Sequence, residues 1–247
     1  MLKIRLEQIY KHCTEQQKSW LNKALQTLDS TEDVENDILN LSVVVKRKFG
    51  EGVCPLEGFS HFNLAEFIRL LLLNQCQNMP IALLAKHYYQ FGDETEKCAL
   101  LKGLPYIDEC GSAVQTAIKA CRCNSLVEFS AIALSNPYPA QFFPELNFNQ
   151  LVLKSLFMGL EISQIHSIEQ RLNAKLSNMC FAYAVEQALA ERNLPASVWL
   201  AVTLDELDED NRKQFEQYAK HYYQLDEAHR QQLDNLISQQ SLSLQLS

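Results

Sequence analysis

Glycine and proline are scarce, seven of each in 247 residues. An all-β chain needs turn residues at short, regular intervals, so this shortage argues against a sandwich or barrel. Positive charge is also short: 22 Lys and Arg face 30 Asp and Glu, a formal net charge of −8. A nucleic-acid binder carries a basic face, and no nucleic-acid partner is expected here. The one compact basic run, Lys46-Arg47-Lys48, precedes Gly50. It reads as a solvated helix end, where cations meet the negative pole of the dipole. Long apolar runs are missing too. The longest, Leu70 to Leu73, falls far short of the roughly 20 residues that span a bilayer. The start, Met1-Leu2-Lys3-Ile4-Arg5-Leu6-Glu7, interleaves charge with apolar residues, unlike a signal peptide. The expectation is a cytoplasmic protein without a transmembrane segment, peripheral to the inner membrane only through a partner.

Familiar site motifs are missing as well. Eight cysteines stand at 13, 54, 76, 98, 110, 121, 123 and 180, without any Cys-x-x-Cys. Cys121-Arg122-Cys123 has the wrong spacing for a zinc knuckle. Reduced, mostly buried thiols are expected. His12, His61, His87, His166, His221 and His229 are scattered and read as surface or satisfied core residues. The acidic run Asp205 to Asp210 lacks the glycine and spacing of a calcium loop and reads as a helix start. The sequence has no Gly-rich phosphate loop, no Gly-x-Ser-x-Gly elbow and no His-Glu-x-x-His. No catalytic residue, metal or cofactor is therefore assigned.

Abundant Leu, Gln, Ala, Glu and Lys favour helix instead. Helix-start signals recur: Asn63-x-x-Glu66, Ser112-x-x-Gln115, Ser125-x-x-Glu128, Asn147-x-x-Gln150 and Thr203-x-x-Glu206. Periodicity predicts helices near 2–12, 14–28, 31–48, 63–76, 79–91, 93–103, 112–123, 125–135, 147–160, 173–193, 196–202, 204–223 and 226–240. Those at 63–76 and 147–160 are apolar on nearly every face and should be central. Ala85-Lys86-His87-Tyr88-Tyr89-Gln90 recurs as Ala219-Lys220-His221-Tyr222-Tyr223-Gln224, and the acidic pair Asp93-Glu94 or Asp226-Glu227 follows shortly after. Each copy reads as a helix end, an acidic turn and the next helix start. The expected fold is all-α, an irregular α-α superhelix or HEAT-like helical repeat stack of about 11–13 helices. A single domain over 1–240 and a frayed tail at 241–247 complete the reading.

Residues 136–179 are the least generic. Two prolines in Asn136-Pro137-Tyr138-Pro139-Ala140 predict a stiff extended strap that presents Tyr138. Asn149, Gln150 and Lys154 are polar in an otherwise apolar helix, and Arg171 and Asn173 follow. Two readings stay open. The polar groups serve loop backbone and Lys154 snorkels, or Asn136, Tyr138, Asn149, Gln150, Lys154, Arg171 and Asn173 form one concave site. In the second, the cations would meet an anionic group while the amides set its orientation.

The same segment resembles a known family. Asn136-Pro137-Tyr138-Pro139-Ala140, then Asn149-Gln150-x-x-Leu153-Lys154-x-Leu156-Phe157, then Arg171-x-Asn173 is similar to the central signature of EboA proteins. Val45-Lys46-Arg47-Lys48-Phe49-Gly50, the Leu-rich run from Phe67, and Leu101-Lys102-Gly103-Leu104-Pro105, read as a turn, extend the likeness over most of the chain. Glu169-Gln170-Arg171 departs from the family's usual Asp-Arg-Arg and keeps one arginine. The resemblance implies a helical, non-catalytic accessory protein that helps move a secondary metabolite or its precursor from cytoplasm to periplasm. Its implied companions are a prenyltransferase-like membrane protein and other operon-encoded enzymes. A protein–protein scaffold, or an enzyme built on Tyr138, Lys154 and Arg171, are the alternatives.

Overall fold

Caps written in the sequence decide where several helices begin. In the computed structural model, which describes residues 2–239, the chain is all-α. The expected tail at 241–247 lies outside the described residues. Two compact units divide the chain, Met1–Ile132 and Ala133–Ser247.

The first unit holds α1 (Leu2–Tyr10), α2 (Glu15–Ser30), α3 (Val34–Phe49), α4 (Leu64–Gln75), α5 (Ile81–Phe91), α6 (Glu94–Ile107), α7 (Val114–Ala120) and α8 (Leu126–Ala133), which reaches the boundary. Helix α4 is its axis. Every side chain from Ala65 to Leu73 is buried, Glu66 and Arg69 included. Asn63 and Glu66 form the expected capping box, each side chain taking the other's backbone N–H at 2.8 Å. Gly50 ends α3 at φ +74, its N–H returning to the Lys46 carbonyl. Gly103 of α6 lies against Leu70, where an added Cβ would come within 2.9 Å of the Leu70 Cδ1. Gly103→Val is expected to lower unfolding stability by about 2 kcal/mol through overpacking. Gly103→Ala should fall nearer zero, because it gains about 1 kcal/mol of helix propensity. Denaturant midpoints of the two variants check this. The expected Gly-Leu-Pro turn does not form: Pro105 sits in the last turn of α6, where only one intrahelical bond is lost.

The second unit holds α9 (Pro137–Phe142), α10 (Glu145–Phe157), α11 (Ala174–Leu189), α12 (Glu209–Leu225) and α13 (Glu227–Gln239). Short 3-10 helices at Ile162–Gln164, Ile168–Arg171, Ala196–Ala201 and Leu204–Glu206 join them. Helix α10 corrects an expectation. It is not buried all round, since Leu146 is 59% and Phe157 74% exposed. The 204–223 helix also splits. Asp208, not Thr203, caps α12, by accepting the Asn211 N–H at 2.9 Å.

The repeat builds the same local device twice. Its first copy ends α5, and Asp93 caps α6. Its second ends α12, and Asp226 accepts the His229 N–H at 2.8 Å at the head of α13. In both copies the third residue after the aspartate, Glu96 or His229, is buried. The matching tyrosines, Tyr88 and Tyr222, are buried too.

Candidate functional site

The twin-proline segment is a helix, not an extended strap. Asn136 caps it by accepting the Tyr138 N–H at 3.0 Å. Pro137 occupies the first helical position, where its missing N–H has no intrahelical partner to lose. Pro139 falls in the same first turn, so both prolines are tolerated. Tyr138 is consequently not presented. It is fully buried, with its ring 4.9 Å from that of Phe142.

Arg171 closes the other end of α9. Its guanidinium donates to the carbonyls of Pro139, Ala140 and Phe143, the last at 2.8 Å, and lies 4.4 Å from the centre of the buried Phe148 ring. A planar fork of donors suits several converging carbonyls. Asn149 and Asn173 exchange amide hydrogen bonds at 3.1 Å in both directions. Asn173 also accepts the Leu176 N–H at 3.0 Å, capping α11, and donates to the Arg171 carbonyl at 3.0 Å. Asn136, Tyr138, Asn149, Arg171 and Asn173 thus belong to one joint of α9, α10 and α11. Gln150 is exposed and Lys154 half-buried on α10.

This joint fixes the 3-10 turn Ile168–Arg171, and beside that turn opens a cleft of ≈ 400 Å³. Glu169 and Leu172 flank Arg171 at one wall. Trp199, Leu200, Val202 and Thr203 form the floor, and Gln232, Asn235 and Leu236 of α13 form the opposite wall. None of the seven expected site residues lines it. Its volume is at the lower end of the range for small-molecule pockets, and its lining mixes the aliphatic Leu172, Leu200, Val202 and Leu236 with the polar Glu169, Thr203, Gln232 and Asn235.

Behind the floor, Trp199 donates its indole N–H to the His229 Nδ1 at 2.9 Å. The His229 Nε2 faces the Leu194 carbonyl at 3.0 Å. An indole can only donate, so Nδ1 accepts and Nε2 carries the proton. The imidazole is therefore neutral here. Burial lowers its pKa from the usual histidine range, against the Leu194 contact and Asp226, which raise it. Tyr222 stacks on the ring, centroids 4.7 Å apart, and burial pushes its phenol up to about 12. Sequence spacing gave no sign of this cleft, because its walls come from three separated segments. The histidine was legible only as a satisfied core residue, which it is.

The cysteines carry no reactive thiolate in the core. Cys54, Cys76, Cys98 and Cys180 are buried, and burial pushes the last three up to about 12. Among the described residues no group of His, Cys, Asp and Glu is placed to hold a metal ion, and no helix is long and apolar enough to cross a membrane.

Neither the curated proteins nor the solved structures provide a significant match to the chain. A family model described as metabolite traffic protein EboA does, over residues 60–203. That stretch spans more than half of the chain and contains α4, the α9–α11 joint and the floor of the cleft. The chain belongs to the EboA family of metabolite traffic proteins.

Proposed function

We propose that this chain is a non-catalytic carrier that holds a small metabolite, or its precursor, on the cytoplasmic side during transfer toward the periplasm. The family membership carries this reading. The ≈ 400 Å³ cleft supplies a place for the cargo, and six of its lining residues, Glu169 to Thr203, lie within the matched stretch. In this reading Asn136, Tyr138, Asn149, Arg171 and Asn173 position the Glu169–Leu172 wall rather than touch cargo.

Native mass spectrometry of protein purified from its own host tests the reading. A bound small molecule is expected in the wild type and in Lys154→Met, and its loss in Asn235→Trp, which fills the cleft. Loss in Lys154→Met with retention in Asn235→Trp would move the site to the Gln150–Lys154 face of α10. An empty wild-type protein, with metabolite export unchanged on its deletion, would remove the carrier role.

One observation favours a second reading, an adaptor that holds partner enzymes such as a prenyltransferase-like membrane protein. Leu146, Gln150 and Phe157 fall on one side of α10 by helical spacing, and all three are exposed. Exposed large apolar side chains such as Leu146 and Phe157, here with the amide of Gln150 between them, are common contact points for partners.

A further inference from the structure

Helix α13 supplies one wall of the cleft, and among the described residues its substantial contacts are with α12 and the Ala196–Ala201 helix. Elements held by few neighbours open locally at a fraction of the global unfolding free energy. What joins α13 to the floor is the Trp199–His229–Leu194 chain, together with the buried Leu233 and Leu236. We propose that His229 is a proton-operated latch on this site: as the neutral imidazole it pins α13 over the cleft, and as the imidazolium it releases α13 and frees the cargo. The inference rests on the carrier reading of the cleft.

The mechanism is a matter of donors and acceptors. Protonation adds a proton at Nδ1, the one atom of the ring that accepts. The Trp199 N–H and the new Nδ1–H would then point at each other across 2.9 Å. Neither indole nor imidazolium has an acceptor to offer, so the contact must break. The groups around the ring decide how readily this occurs. Burial and His221 of α12 oppose the imidazolium, while the Leu194 carbonyl, Asp226 just before α13 and Glu161 favour it. Tyr222 of α12 stays neutral across the range and lends only its ring face. Both carboxylates belong to exposed residues and are screened by solvent. The Ala196–Ala201 helix brings no titratable group. Position adds a second argument. The first repeat copy carries Glu96 at the matching helix start, so the turn tolerates different side chains there and does not itself require histidine.

The sign follows from linkage. The docked state keeps His229 deprotonated, and the released state lets it titrate near its ordinary value of about 6.5. The released state therefore binds more protons, and release grows as pH falls below that value. Hydrogen exchange of the wild-type protein should show protection factors of the α13 amides falling by up to about tenfold per pH unit below pH 6.5. The core amides of α4 should hold. Histidine NMR should show the Trp199 indole proton shifting together with the His229 ring. His229→Gln keeps a neutral donor and acceptor and should leave α13 protection flat with pH, while His221→Gln should respond as the wild type does. A wild-type α13 indifferent to pH from 7.5 to 5, or a His229→Gln protein that follows the wild-type curve, overturns the latch. If His229→Gln does not fold, an indole signal that ignores the His229 titration overturns it equally. All these readings need no cargo, so their failure leaves the carrier reading standing. Loss of the carrier reading through the Asn235→Trp test leaves the proton response of α13 intact.

Discussion

Lys102→Met is expected to destabilise the first unit by about 3 kcal/mol, because it strands a buried carboxylate. Lys102 reaches from α6 to both oxygens of Glu66 on α4, each at 2.8 Å. The Glu66 side chain is 6% exposed and that of Lys102 27%. Glu66 also caps α4 through the Asn63 N–H, so its charge is fixed in place by the helix start and cannot swing to water. The lysine's partial exposure sets the estimate at the lower end of the range for broken buried pairs. Urea denaturation measures it, and the double variant Glu66→Gln with Lys102→Met should recover part of the loss by removing the stranded charge. A midpoint for Lys102→Met within experimental error of the wild type would show that the pair behaves like an exposed one.

How far this arrangement was legible in the sequence depends on the range of the interactions. The Asn63–Glu66 box and the Gly50 stop are local, and both are legible in the sequence. So is α4, because its apolar residues cover nearly every helical face despite Glu66 and Arg69. The α12 start expected at Thr203 lies instead at Asp208, because several acidic and hydroxyl residues compete there for the capping role. The α7 start failed for a related reason. Asp108, from the preceding helix end, takes the N–H groups of Ser112 and Ala113, so Ser112 is not needed as a cap.

The α9 segment shows a different limit. Proline rules are statistical for the residue before proline, so the extended backbone they predict for Tyr138 before Pro139 is not obligatory. Its burial and the Arg171 cap at the far end hold it helical instead. In the same way the sequence marked Arg171 and Asn173 as unusual without showing that they face carbonyls and a helix start. An arginine bound for backbone looks the same in sequence as one bound for a ligand. The cleft was not legible at all, since Leu172, Trp199 and Leu236 are ordinary apolar residues until three segments meet.

The Arg171 cap yields the second large effect. Arg171→Ala is expected to lower unfolding stability by about 3 kcal/mol, because the carbonyls of Pro139, Ala140 and Phe143 lose their donors together. Arg171→Lys should restore less than half, because a single ammonium cannot fork toward carbonyls on both sides of the α9 end. Asn173→Ala removes the α11 cap and the Asn149 partner, with an expected loss of about 2 kcal/mol. The two losses should not add, since Asn173 donates to the Arg171 carbonyl and both serve one joint. The location of the damage separates this cap from general destabilisation. Hydrogen exchange of Arg171→Ala should show α9 opening first and exposing Tyr138, while α12 and α13 keep their protection. Uniform loss of protection across the second unit, with α9 no worse than α12, would mean that Arg171 does not hold this helix. The Glu169–Leu172 wall of the cleft would then need another support.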